Sequence, residues 1–368
     1  MPTMSDVAKA AGVSRATASY ALRGDPRISP HTAEKVRAAA SQLRYTANLS
    51  ARSLRSGRSG VIGVAIFELD KPYPSEMSAA ISREAAQHGL ETIVQQTSNS
   101  KEREISILRK VTSQLCDGTV FSPGNVSVEE IAALYGGKPL ILLDDVSNDP
   151  LFDCVFTPCE AGAEAAIRHL AAVGCRNIGV LGTDCTASLE DSQATTISDH
   201  RPAGALTKLW DMVVMSSSVS GRRLAGALTA FDDLGITVGE DNFVNALWET
   251  RDAREAAHRL VDEGLPFDGL FCMTDTVALG ALRGFADRGV RVPQDVAVIG
   301  FDGINEGEYS VPSLTTIQTD LDDLARKTVG LLLNRLDEEA TGLPLQQKAP
   351  VQRLTAGYSL VERESTRR

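Results

Sequence analysis

From residue 61 to residue 301 the chain alternates short apolar runs with amphipathic stretches of helical period, and this rhythm narrows the possible folds more than any other feature. The apolar runs lie at 61–67, 91–94, 119–121, 140–143, 178–181, 242–247, 270–272 and 296–301. They are short for helices and lack the in–out alternation of a half-exposed strand. Helical stretches at 75–88, 102–115, 131–135, 164–172, 222–234, 253–263 and 277–288 separate them. Strands that are apolar on both sides need cover on both sides, which means parallel sheets flanked by helices. One sheet with so many strands would be unusually large, so the expectation is an α/β core of two lobes. Residues 183–220, rich in Ser, Thr, Ala and Asp, break the rhythm, and no element is assigned to them.

The first sixty residues follow a different pattern. Val7, Ala8 and Ala11 share one face of a short helix; Thr17, Ala18, Ala21 and Leu22 offer packing for a second. Gly12 between them can turn the chain at positive φ, and Ser14 stands where an N-cap hydroxyl can take an unpaired helix N–H. Helix, tight turn, helix is the plan whose second helix can enter a DNA major groove. Ser29-Pro30 reads as N-cap and first residue of a third helix, with Val36, Ala39, Ala40 and Leu43 on its inner side. Residues 48–55 form a short helix candidate too brief to stand alone, and 55–60, rich in Ser, Gly and Arg, reads as a linker.

Charge separates these parts. The whole chain of 368 residues carries a formal −11. Residues 1–58 hold ten Lys/Arg against three acids, a formal +7, which leaves −18 on the remainder. A basic head on an acidic body is the asymmetry of a nucleic-acid reader attached to something that must not bind nucleic acid. The six cysteines form no CxxC pair and lie in or beside apolar runs, which suits free thiols in a reducing cytoplasm. The N-terminus does not resemble a signal peptide and no apolar run approaches membrane-spanning length, so a cytoplasmic protein without membrane contact is expected.

Two-lobed α/β cores bind ligands beyond the carboxyl ends of their strands. The loops at 68–74, 144–148, 248–251, 274–276 and 302–305 stand there and carry Asp, Thr, Tyr, Trp and Asn, with Arg223 opening a neighbouring helix. Carboxylates accept from hydroxyls, arginine donates, and an aromatic face packs on C–H groups, a mixture suited to a polyhydroxylated ligand. The plain alternative is a set of polar strand ends such as every α/β protein has. Catalysis finds no support: G-x-S-x-G, H-E-x-x-H, the P-loop and G-x-G-x-x-G are all missing, and the five histidines are scattered. No cofactor or metal is expected.

Four stretches resemble the LacI/GalR family of transcriptional regulators across nearly the whole chain. They are 4–8 with 14–19, 43–48 with 51–54, 291–302 (Arg-Val-Pro-Gln-Asp-Val-Ala-Val-Ile-Gly-Phe-Asp), and 312–317 with the closing 360–366. The resemblance implies an α/β fold with a small all-α helix-turn-helix head and a two-lobed core like the periplasmic binding proteins. The expected boundaries are 1–46 for the head and 47–60 for hinge helix and linker. The N-terminal lobe would take 61–158 with 319–346, and the C-terminal lobe 159–318 with 347–368.

By that likeness Arg15, Ala16 and Tyr20 occupy the base-reading positions, with Ser14, Thr17, Ser29 and Asn48 among the DNA contacts. Leu54 stands where family members wedge a leucine into the minor groove, and Ala51 would let two hinge helices approach. The matched effector positions are Asp70, Tyr73, Asp144, Arg223, Trp248, Thr274 and Asp302. Two departures are Ala47, where many members have proline, and the unusual length of 183–220. The partners implied are an operator in double-stranded DNA, a second copy or a dimer of dimers, and a sugar, sugar derivative or nucleoside as effector. A sensor protein with a vestigial DNA head and a cytosolic sugar-processing enzyme stand as alternatives.

Overall fold

The computed structural model describes residues 2–22, 24–45, 58–111, 115–145, 147, 150–183, 218–341 and 349–368. The chain divides into two compact units, Met1–Gly60 and Val61–Arg368.

The first unit is built on three helices, α1 (Met4–Ala11), α2 (Arg15–Leu22) and α3 (Pro30–Gln42). Each starts on a side-chain cap. Thr3 and Asp6 close a capping box on α1, Asp6 N donating to Thr3 Oγ1 at 3.4 Å and Thr3 N to Asp6 Oδ2 at 2.8 Å. Ser14 Oγ accepts from Thr17 N at 3.0 Å, and Ser29 Oγ from Thr32 N at 3.3 Å, so both caps expected from sequence form. These contacts satisfy donors that a helix start leaves orphaned. The core is Val7, Ala8, Ala11, Ala18, Ala21, Ala33, Val36, Ala39 and Ala40. Side chains this small bury little apolar area each, so the caps carry an unusual share of the helical stability. Asn48, Ala51 and Leu54 lie outside the described residues.

The second unit contains two α/β lobes. The chain runs β1 (Val61–Ile66), α4 (Pro72–Gln87), β2 (Glu91–Gln96), α5 (Lys101–Ser106), β3 (Gly118–Phe121), α6 (Val128–Leu134), β4 (Leu140–Leu143) and β5 (Asp153–Phe156). It crosses to α7 (Cys159–Ala172), β6 (Ile178–Thr183), α8 (Val219–Asp233), β7 (Phe243–Asn245), α9 (Thr250–Asp262), β8 (Gly269–Cys272), α10 (Asp275–Asp287), β9 (Ala297–Asp302) and β10 (Thr315–Thr319). The return passes through α11 (Leu321–Thr341) and β11 (Arg353–Thr355), and the chain ends through β12 (Tyr358–Val361). The strand orders are β11-β5-β4-β3-β1-β2 and β12-β10-β9-β8-β6-β7. All pairings are parallel except β10 with β12. In each sheet the strand order reverses beside the first strand of the lobe, β1 or β6, the topology that opens a crevice at the carboxyl ends. Where the period predicts one helix over 102–115, α5 gives way to a π turn at Ile107–Val111.

The lobe boundaries need one correction. Residues 353–355 pair with β5 and belong to the first sheet, not to the C-terminal lobe assigned from residue 347 onward. The cause is a buried anchor: Asp153, 2% exposed, accepts from Arg335 Nη2 at 2.8 Å and from Gln352 N at 2.7 Å. The chain therefore re-enters the second lobe only at 356–357. Two of the crossings are tied there, Ala356 N donating to Phe156 O and Asp320 N to Gly357 O, both at 2.9 Å.

Helices α7 and α8 pack backbone to backbone at Gly226, where a Cβ would stand 2.0 Å from the carbonyl oxygen of Glu160. This approach fixes how closely the middle of α8 packs on the start of α7. Gly226→Ala is expected to destabilise the core by about 1–3 kcal/mol through overpacking. Gly330→Ala, in α11 with nothing within 4 Å of its Cβ position, should instead stabilise by about 0.4–1 kcal/mol. Urea unfolding of the full chain distinguishes the two signs.

Candidate ligand cleft and candidate nucleic-acid interface

Ser218 Oγ accepts from Gly221 N at 3.1 Å and fixes where α8 begins. That start puts Arg222 and Arg223 in the first turns, both buried. Arg223, 1% exposed, donates from Nη2 to Asp302 Oδ1 at 2.6 Å and from Nη1 to the carbonyl of Met273 at the end of β8. Its guanidinium lies 3.8 Å from the Phe301 ring centroid and 5.3 Å from that of Trp248. Trp248 in turn donates its indole N–H to Gly182 O at 2.8 Å. Arg223 is thereby held by the carboxyl ends of β6, β8 and β9.

Asp302 is buried and sits at φ +112, outside the comfortable range of a non-glycine residue. Burial pushes its pKa up to about 6; Arg223 opposes the shift, and Glu76 and Asp144 add to it. Asp144 occupies the corresponding place in the first lobe, after β4, also at positive φ (+54). Its Oδ1 accepts from Thr157 N and Thr157 Oγ1, both at 2.8 Å, and lies 3.5 Å from Arg222 Nη1 of the other lobe. Burial raises its pKa against the pull of Arg222. Arg222 also forks onto Glu160 at 2.7 Å twice and stacks over Phe156 at 4.7 Å.

Tyr73, near the start of α4, feels the charges of Asp302, Asp144 and Arg223, and burial drives its pKa well above the usual phenol value. Its hydroxyl and that of Thr319 are buried beside one another without completing a hydrogen bond, and Arg223 Nε is also unpaired. Two further links join the lobes: Lys71 with Glu249, and Asn305 Nδ2 donating to Glu76 Oε1 at 2.8 Å. Of the seven cleft residues named from sequence, Tyr73, Asp144, Arg223, Trp248 and Asp302 come together. Thr274 spends its hydroxyl capping α10, accepting from Val277 N at 3.1 Å, while Asp70 is exposed.

Sequence reasoning passed over Asp275. It is fully buried, and its carboxylate accepts from Gly303 N (2.8 Å), Ile304 N (2.9 Å) and Thr316 Oγ1 (2.6 Å). It thus holds the loop that follows Asp302. Burial and the charge of Asp302 push its pKa up to about 8. An aspartate directly after a capping threonine reads as an ordinary first-turn acid, which hid it.

On the first unit, Ser14, Arg15, Ala16, Tyr20 and Ser29 are exposed and Thr17 is half-buried. Ala18 and Ala21 face the core, so α2 presents Arg15, Ala16 and Tyr20 outward. A second helix with an outward basic and aromatic face is what a major groove admits. Among the described residues there is no group that could hold a metal, and no helix long and apolar enough to cross a membrane. Cys116, Cys154, Cys159, Cys175 and Cys272 are buried free thiols.

A helix-turn-helix head followed in sequence by a two-lobed core with a polar interlobe cleft defines a ligand-sensing DNA-binding protein. Residues 3–48 match the bacterial regulatory proteins of the lacI family, and residues 167–366 match the periplasmic binding protein-like domain. The HTH-type transcriptional repressor PurR of Pasteurella multocida is 25% identical over 342 residues, covering 92% of this chain and 93% of that protein. A LacI-family regulator from Sanguibacter keddieii is 33% identical, with 84% of this chain and 99% of that one covered and a TM-score of 0.68. The lac repressor dimer bound to operator and the anti-inducer ONPF is 27% identical, with 99% of both chains covered and a TM-score of 0.73. The chain belongs to the LacI family of transcriptional regulators.

The raised pKa of Asp275 has a sign that can be checked. A carboxyl whose folded pKa lies above its unfolded value of ~3.9 costs stability as it ionises in the fold. Its contribution therefore falls as pH rises from about 4 to about 8. Asp275→Asn can accept from the two amides and donate to Thr316. The stability of the wild type relative to this variant is expected to fall between pH 5 and pH 8 in urea titrations. A difference independent of pH would show that the carboxylate is ionised throughout.

Proposed function

We propose that this regulator is a repressor that binds a near-palindromic operator as a homodimer and is released when a sugar or sugar derivative enters the interlobe cleft. The observation that carries the ligand side is the buried Arg223–Asp302 pair beside Trp248 and the unpaired Tyr73 and Thr319 hydroxyls. Donors, acceptors and an aromatic face converge where the two lobes meet, the arrangement a polyhydroxylated ligand requires. Asp144, Arg223, Asp302 and Tyr73 would hold its hydroxyls and Trp248 its C–H face; Asp70 would add a contact from the loop ahead of α4, and Thr274 would support the site through the cap of α10. A ligand shifts the equilibrium only through different affinities for two arrangements of the lobes. The groups tying the lobes together, Arg222 with Asp144 and Asn305 with Glu76, are the contacts that such a change would remake.

On the DNA side, Arg15 can fork onto guanine O6 and N7, Ala16 can meet a thymine methyl, and Tyr20 offers a hydroxyl and a ring. Ser14, Thr17, Ser29 and Asn48 supply phosphate contacts. A symmetric dimer reads a two-fold site, and hinge helices with Ala51 at their contact and Leu54 wedged between base steps would order on it. Such a protein works in the cytoplasm, where the operator is.

Fluorescence anisotropy on DNA flanking the protein's own gene tests the proposal, with monosaccharides and purine nucleosides as separate arms. A salt-sensitive palindromic site released by a sugar is expected. Arg15→Ala should cost about 1–3 kcal/mol at one base pair of each half-site. Asp302→Ala should leave operator affinity intact and weaken the sugar response by roughly 10- to 100-fold, the loss of a hydrogen bond to a charged group. Absence of sequence-specific binding in every ligand state would refute the regulator reading for this chain, and release by a nucleoside alone would refute the sugar.

A further inference from the structure

Among the outward residues of α2, Tyr20 differs from Arg15 and Ala16 in being clamped. The chain leaves α2 through Gly24 at φ +71 and folds back on itself, Asp25 N donating to Tyr20 O at 3.1 Å. Asp25, whose side chain is 17% exposed, then grips Arg27 three times. Arg27 N donates to Oδ1 at 3.0 Å, Nε to Oδ1 at 2.9 Å, and Nη2 to Oδ2 at 2.7 Å. The fork holds the guanidinium in place, and its Cζ lies over the Tyr20 ring, 4.8 Å from the centroid. Tyr20 itself keeps 37% of its surface exposed.

An arginine beside a DNA-facing helix is ordinarily read as a phosphate contact, a mobile cation that adds affinity without sequence information. Arg27 is arranged differently. Its Nε edge is spent on a carboxylate two residues back, so the group is held in place by its own turn and carries a neutralising partner with it. A delocalised guanidinium packs on an aromatic ring in a way that a lysine ammonium does not reproduce. A tyrosine so covered loses rotamer freedom before it meets DNA, and ordering it at the interface costs less.

We propose that Arg27, forked onto Asp25, is a positioning residue that fixes the Tyr20 ring for base recognition and thereby sets specificity at the base pair Tyr20 reads. The inference rests on the reading of α2 as the base-contacting helix. Arg27 itself reads no base; it acts through the ring.

The test is a binding profile of the full-length protein over a library of single-base-pair operator variants, taken at several salt concentrations. Tyr20→Ala first identifies the base pair at which Tyr20 discriminates. Arg27→Ala, Arg27→Lys and Asp25→Ala break the clamp from both ends. All three are expected to reduce discrimination at that one base pair by roughly 5- to 100-fold, with other positions and the salt slope unchanged. Arg27→Lys leaves the charge in place and substitutes a largely exposed side chain, so its loss of discrimination cannot be laid to misfolding. A phosphate role gives the opposite pattern and overturns the proposal. Arg27→Ala would then weaken all operators equally and lower the salt slope by about one, Arg27→Lys would retain most affinity, and Asp25→Ala would tighten binding. A wild type with no sequence preference at all would refute the reading of α2 itself, a result separable from the phosphate outcome.

Discussion

The buried pair Arg223–Asp302 is the interaction on which the arrangement of the core's cleft depends. Two charges that far from water are expensive, with an effective penalty of several kcal/mol each after relaxation. Asp302 accepts one short bond, Met273 offers its carbonyl, and the Phe301 ring covers one face of the guanidinium. The settlement is incomplete. Arg223 Nε has no partner, and the Asp302 pKa stays raised to about 6 despite an arginine at 2.6 Å. An apolar pair of similar volume would stabilise such a position at least as well. The pair is thus a set of buried, oriented donors and acceptors and not a source of net stability.

The neighbour of Arg223 extends that logic across the cleft. Consecutive helical residues point about 100° apart, so the start of α8 sends one guanidinium to β8 and β9 and the next toward the first lobe. Arg222 reaches Asp144 there while Glu160 forks its other edge. The Phe156 ring, at the crossing between lobes, carries Arg222 at 4.7 Å and Arg353 at 4.8 Å. Two adjacent residues of α8 thus bind carboxylates that belong to different halves of the cleft, Arg222 to Asp144 and Arg223 to Asp302. One helical turn therefore links both lobes.

Much of this was legible in the amino-acid order, and the reason is periodicity. Apolar runs flanked by helical stretches place β1, β4, β6, β8 and β9 with little ambiguity, and the candidate cleft residues follow from the strand ends. Ser14 and Ser29 announce their caps because the hydroxyl precedes an amphipathic turn. What escaped depends on long-range pairing. β11 belongs to the first sheet because Asp153 and Arg335, 182 residues apart, fix residues 349–352, and no local pattern carries that. Asp275 escaped for the same reason, its partners being Gly303, Ile304 and Thr316. Thr274 illustrates the converse: its type fits a ligand contact, but the same hydroxyl is the natural cap for α10, and the cap is formed.

Backbone strain marks the same two carboxylates from an independent direction. Asp144 and Asp302 stand at the ends of β4 and β9, and both hold positive φ. Such conformations cost of order 1–3 kcal/mol and survive only where the surroundings overdetermine them. For Asp302 the surroundings are plain. Gly303 follows at φ +80, where a Cβ would lie 2.4 Å from Gln318, so β9 must break off while β10 continues beside it. Asp275 then pins the next two amides, and Thr316 of β10 binds the same carboxylate. The chain is forced to turn with the Asp302 side chain facing Arg223, and the continuing β10 brings Thr319 up to Tyr73. A relaxed strand end would carry the carboxylate on the normal alternation of the sheet, and Arg223 would be buried without its counter-charge. The strain and the ion pair are therefore one structure: the second is affordable only because the first holds its acceptor in place.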